Sequence, residues 1–209
     1  MDKGFLFLSL TLIFISLGLV IFEWKEISSK KLVVIAVLAA LAALGRVPFA
    51  VIPSAQPTTF LVIISGYVLG PLAGFLVGIV AAVVSNIFLG QGPWTIMQML
   101  AWGLCGLSAG VLGKIAPNIN RPILVVFGFA WGFLFGWIMN LWHWLSFVYP
   151  LNFQSWFLTN VTSFGFDLIH ALSNALFMFM LGGEFIKILN RFKQKLSYEH
   201  HGNKCPDVF

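Results

Sequence analysis

Seven apolar runs, almost free of charge, occupy about residues 4–22, 31–51, 57–70, 72–89, 95–113, 122–146 and 161–182. A helix needs roughly 17–25 such residues to cross a bilayer. Inside hydrocarbon every backbone N–H and C=O must be bonded, which leaves only helices and closed barrels. One run mimics a strand, because Phe127, Phe129, Trp131, Phe133, Phe135 and Trp137 fall at every second position. A barrel strand alternates apolar with polar and lasts roughly ten residues. Here the intervening residues are Gly, Ala and Leu, and the run is far longer, so it is a helix. Composition agrees: 9% of the chain is charged and 59% hydrophobic, where a soluble domain carries about 25% charge. The fold class predicted is an all-α membrane protein.

The run 57–70 is short, and Gly70-Pro71 separates it from the next, since proline breaks a helix and biases its predecessor away from helical geometry. Basic residues flank the runs. Lys25, Lys30, Lys31, Lys114, Arg121, Lys187, Arg191, Lys193, Lys195 and Lys204 fall on one side, and only Lys3 and Arg46 on the other. Cytoplasmic loops collect Lys and Arg, so the N-terminus is expected outside and the C-terminus in the cytoplasm of a bacterial-type plasma membrane. The run 4–22 reads as a retained helix, because its basic flank follows it and its length exceeds a signal core. Cys105 lies in an apolar run and Cys205 in the tail, suggesting neither a disulfide framework nor a metal site. The tail after Lys195 is polar and aperiodic, and His200-His201 reads as solvated.

Small residues form faces. Ala36 and Ala40 are four apart, as are Ala39 and Ala43. Such faces let helices approach closely where no hydrophobic effect drives them together. From spacing alone the alanines serve either internal packing or docking of another membrane subunit. Gly66, Gly70, Gly74 and Gly78, and likewise Gly128, Gly132 and Gly136, are assigned to tight packing.

Polar residues inside the runs collect in the outer half. Arg46 ends its helix, and Asp167 lies about two turns into the last span; both are costly in hydrocarbon. They are placed to form an ion pair or to meet a ligand. Asp167, His170 and Asn174 share one helical face, as do Trp137, Asn140 and Trp144, with His143 beside them. Asn86 and Gln56 fall at the same end. In "LGQGPWTIMQMLAWG", Gly92-Pro93 suits a helix start, and Trp94, Gln98 and Trp102 recur on one face below it. Aromatic walls with a few placed hydrogen-bonding groups suit a small-molecule pocket. The expected substrate-binding set is Arg46, Gln56, Asn86, Gln91, Trp94, Gln98, Trp102, Asn140, His143, Trp144, Asp167 and His170, with Gln91 and Gly92 at the rim. Loops 46–58 and 146–160 would extend that rim.

Catalytic and metal motifs are lacking in the sequence. "GVLGKIAP" has no Ser/Thr after its Gly-Lys and no strand before it, so it is no phosphate loop. No H-E-x-x-H, G-x-S-x-G or Cys/His metal spacing occurs. No catalytic residue, metal or cofactor is therefore expected, and uphill transport would draw on a partner's ATP. The competing enzyme reading rests on Asp167-x-x-His170 with His143 as an acid–base set.

"AVLAALAALGRVPF", "QPTTFLVIISGYVLGPLAGFLVG", "SNIFLGQGPWTIMQMLAWGLCG" and "GFLFGWIMNLWHWLSFVYP" resemble the substrate-binding S component of energy-coupling factor (ECF) vitamin transporters, closest to cobalamin or corrinoid members. The resemblance spans about residues 31–190 and implies a six-helix transmembrane bundle with a vitamin pocket near the outer surface. On it, residues 1–30 are an additional N-terminal transmembrane helix and linker, and 191–209 a polar cytoplasmic tail. It implies that Ala36, Ala39, Ala40 and Ala43 dock a transmembrane coupling subunit carrying two cytoplasmic ATPases. The vitamin, as transported ligand, would be delivered by toppling of the subunit in the membrane.

Overall fold

The computed structural model describes residues 3–24 and 27–202, with side chains as far as Lys195. Among these residues the protein is helical throughout: α1 (Lys3–Glu23), α2 (Ser29–Arg46), a 3-10 turn (Pro48–Val51), α3 (Thr58–Leu69), α4 (Pro71–Leu89), α5 (Trp94–Ile115), α6 (Arg121–Phe147) and α7 (Phe153–Gly202). Six of these segments are long and apolar enough to cross a membrane; α3 is not. Cys205 lies outside the described residues, and the side chains of His200 and His201 are not described.

Two boundaries differ from expectation. The run 31–51 is not one helix: α2 stops at Arg46, because Pro48 has no N–H to give and constrains the residue before it. The chain then turns across the end of the bundle before α3 begins. The last helix starts at Phe153, two turns before residue 161. Asn152 accepts a bond from the Ser155 N–H at 2.8 Å, an N-cap that starts the helix there. The rim expected at 146–160 thus shrinks to a short turn, and α7 continues through the first part of the supposed tail.

All twelve residues of α3 are buried. At roughly 1.5 Å per residue it is too short for a hydrocarbon core of about 30 Å, which is tolerable only for a segment enclosed by protein. The Thr58 hydroxyl donates to the Ala42 carbonyl at 2.9 Å, so α3 begins one turn below Arg46. That shortfall leaves a hollow at the Arg46 end.

Packing around α3 is backbone against backbone. A Cβ on Gly66 or Gly74 would collide with the Gly106 carbonyl, and one on Gly106 with that of Gly74. Such close approach suits helix association where dispersion and not water drives contact. Gly70, at φ 101°, links α3 to α4 in a conformation that favours glycine. Helix α1 lies against this body with few buried residues (Gly4, Thr11, Ile15), and Phe14 meets Phe75 edge-on at 6.3 Å. Lys31 and Lys114 come to the same end of the bundle, beside Gly70.

Candidate binding cavity

The hollow above α3 is a cavity of about 500 Å³, within the roughly 300–1,000 Å³ range of small-molecule sites. Arg46, Gln56, Gln98, Asn140, Asp167 and His170 line it, together with Phe49, Phe135, Met139 and Phe166. A second hollow of about 720 Å³ continues from it over the α6–α7 turn and includes His143. The two share Asn140, Ser163 and Phe166.

Arg46 organises one wall. Its Nε donates to Gln56 Oε1 at 2.8 Å, and one Nη donates to Ser85 Oγ at 2.9 Å and Asn86 Oδ1 at 2.7 Å. Asn86 passes this order on, its amide donating to Thr95 Oγ1 at 2.8 Å and Gln98 Oε1 at 2.7 Å. Thr95 in turn donates to Gln91 Oε1 at 2.9 Å, and the Gln91 amide donates to the Val83 carbonyl. The Arg46 guanidinium lies 5.1 Å from the centre of the Trp102 ring, a stabilising cation–π contact.

Trp102 is fully buried and supports the cavity from behind. Its indole N–H donates to Thr59 Oγ1 at 2.9 Å, and Thr59 meets His170 Nε2 at 2.8 Å. Phe135 packs on both Trp102 and His170, at 4.8 and 5.0 Å between ring centres.

The opposite wall belongs to α6 and α7. Ser163 donates to Asp167 Oδ2 at 3.0 Å, and the Asn140 amide donates to Ser163 Oγ at 2.7 Å and Asn160 Oδ1 at 3.1 Å. The Asp167 carboxylate fits against the bare Cα of Gly136, where any Cβ would strike it. Gly136→Ala should therefore displace the carboxylate while leaving the helices packed. The expected result is about a tenfold loss of ligand affinity with little change in melting temperature, read by calorimetry and thermal unfolding of the purified chain.

The expected site residues thus separate into groups. Six line the cavity and His143 the adjoining hollow, whereas Asn86, Gln91 and Trp102 brace the wall from behind. Trp94 is 41% exposed, its ring lying against Gly92. Trp144 donates to Ser155 Oγ at 2.8 Å and secures the start of α7. The Arg46–Asp167 ion pair is not formed: both side chains border the cavity, but Arg46 is engaged by neutral acceptors and Asp167 by Ser163. Ser85, Thr59 and Ser163 were not foreseen; isolated Ser and Thr in membrane helices usually bond their own backbone.

The alanine face also divides. Ala39 and Ala43 are wholly buried within the bundle, whereas Ala36 and Ala40 stay exposed beside Val33, Val37 and Leu44. A docking surface can therefore use only the second pair. Asn174 is fully buried deeper in α7, its amide donating to the Gly128 carbonyl at 3.2 Å.

A polar, aromatic-backed cavity is thus sunk into one end of the membrane-length helices of an integral membrane protein. Residues 30–195 match the family model of the ECF transporter substrate-specific component, and the chain belongs to that family. That family comprises the substrate-specific membrane components of ECF transporters. Among curated relatives, UPF0397 proteins of Aliivibrio fischeri are 33% identical over 98 residues, covering 44% of this chain and 53% of theirs. One from Vibrio atlanticus is 31% identical over 96 residues, covering 44% and 52%. The chain spans about half the length of the curated relatives it matches. No solved structure matches it.

Proposed function

We propose that this subunit captures a vitamin or vitamin-sized precursor from outside the cell in the cavity between Arg46 and Asp167. The observation that supports this most is the cavity itself: two intramembrane charges face a shared hollow without pairing with each other. Charges in hydrocarbon are retained where a partner or cargo meets them. On the positive-inside pattern of Lys and Arg the Arg46 end would face outside, which supports uptake.

A corrinoid, favoured by the sequence resemblance, would need the cavity and the adjoining hollow together; a smaller vitamin needs only the first. Calorimetric titration of the purified chain with vitamins, corrinoids included, tests the function. Sub-micromolar binding of one compound is expected, and no binding across the set would refute it.

Transport would require a transmembrane coupling subunit and two cytoplasmic ATPases. The exposed strip of Ala36 and Ala40 on α2 is our candidate for the coupling contact, about which the bound subunit topples. Ala36→Trp with Ala40→Trp should abolish uptake by cells while the isolated chain keeps its ligand affinity. Unchanged uptake would return these alanines to lipid contact.

A further inference from the structure

The hydrogen-bond polarity of the cavity identifies the kind of ligand it takes. Guanidinium has only donors, so the contacts of Arg46 settle every amide around it. Asn86 must turn Oδ1 to Arg46, and its NH2 therefore donates to Gln98 Oε1. The Gln98 NH2 is then left over. Gln56 likewise turns Oε1 to Arg46 and keeps its NH2.

His170 follows from the same logic. Thr59 receives the Trp102 N–H, and His170 Nε2 is the only acceptor for the buried Thr59 hydroxyl among the described residues. A buried hydroxyl without an acceptor is costly, so Thr59 donates to Nε2 and the ring proton resides on Nδ1. Arg46 Nη2, Gln56 Nε2, Gln98 Nε2 and His170 Nδ1 have no protein partner among the described residues. None of these atoms is sealed from the cavity either, since the sealed unpartnered atoms are Trp142 Nε1 and Asn174 Oδ1. Arg46, Gln56 and Gln98 therefore turn side-chain donors to the cavity, and His170 on α7 adds a fourth.

Asp167 and Asn140 have the opposite polarity. The Asn160 amide donates to the Trp156 carbonyl, so its Oδ1 accepts from Asn140, whose own Oδ1 is left open. Ser163 gives its proton to Asp167 Oδ2 at 3.0 Å, nearer than the Asn160 carbonyl at 3.2 Å, leaving Asp167 Oδ1 open. A cation and an anion thus confront each other across the cavity, each without an ionic partner among the described residues.

We infer, building on the proposed capture function, that the cargo is a compact dipolar molecule with an aromatic or other flat apolar body. It carries an anionic oxygen group for Arg46, Gln56, Gln98 and His170, and a cationic or N–H nitrogen for Asp167 and Asn140. Phe135, Phe166 and Met139 supply the apolar surface between. A ligand with both groups completes each charge, whereas one lacking either leaves a desolvated charge unmet, and such sites discriminate strongly.

The test is ligand-induced thermal stabilisation of the full purified chain. The probes are tryptophan and pyridoxamine 5′-phosphate (dipolar), nicotinate and pantothenate (anions), thiamine (a cation), and riboflavin and cyanocobalamin. Each compound that stabilises is then titrated against Asp167→Asn and Gln98→Glu. The first keeps the shape of the side chain and removes its charge; the second turns an open donor into an acceptor. The expected result is stabilisation by a dipolar compound, with affinity falling about tenfold or more in each variant. Stabilisation by an anion, a cation, riboflavin or cyanocobalamin, or affinity unchanged in the variants, overturns the dipolar assignment and leaves capture standing. No stabilisation by any probe counts against capture itself, and the assignment falls with it.

Discussion

Arg46→Ala is expected to abolish measurable ligand binding and to destabilise the isolated subunit. The guanidinium holds Gln56, Ser85 and Asn86 and lies over Trp102, joining α2, α4, α5 and the segment before α3 in one network. A hydrogen bond from a charged donor contributes about 1.5–3 kcal/mol, though such deletions are not additive within a network. The expected outcome is affinity reduced at least ~100-fold and a stability loss of roughly 2 kcal/mol. Lysine should rescue little, because one ammonium cannot reproduce a planar fork bonded on two edges. Binding and unfolding of Arg46→Ala and Arg46→Lys, measured together, check this; wild-type affinity in the alanine variant would remove Arg46 from the site.

Gly106→Val should be the most damaging substitution in the membrane core. The Gly106 Cα packs on the Gly74 carbonyl, and Gly66 and Gly74 pack on the Gly106 carbonyl in return. A branched side chain there drives its Cβ into the Gly74 backbone whatever rotamer it adopts. Overpacking by one or two methylenes costs about 1–3 kcal/mol; a wedge between two backbones should exceed ~3 kcal/mol. The expected result is loss of monodisperse protein after solubilisation. Gly183→Val is the control, since a Cβ at Gly183 meets nothing within 4 Å. Equal yields of the two would contradict the packing described.

Much of the architecture could be read in one dimension because lipid imposes a local rule. Every apolar run had to close its own hydrogen bonds, so length and composition located the helices. The rule failed where protein replaces lipid as the neighbour. Residues 153–160 mix Gln, Ser, Thr and Asn with apolar side chains and so do not extend an apolar run. Yet they form the first turns of α7, and several of them border the adjoining hollow. The signal that places the start was short-range: Asn152 three residues before Ser155, an N-cap pattern. Helix α3 could be read only as a short run, and its shortness makes the cavity.

The candidate site was legible as a set of residues and not as an arrangement. Helical spacing brought Asp167 and His170 to one face and put Arg46 at the same end, and all three line the cavity. Spacing could not distinguish the lining from its support: Trp102 shares a stripe with Gln98, yet it is buried a layer behind. Nor could it separate Ala36 and Ala40, exposed, from Ala39 and Ala43, enclosed. A stripe defines a direction around one helix, whereas burial depends on which neighbour occupies that direction.

By itself, the sequence determined that this chain is a helical membrane protein with its polar groups gathered at one end. Hydrocarbon excludes unpaired backbone and scattered charge wherever they occur along the chain. Only the tertiary structure decided that Arg46 and Asp167 stand apart across a cavity. Their separation is set by the depth at which α3 begins and by the bare Cα of Gly136. Both are contacts between distant segments, and such contacts have no period in the sequence.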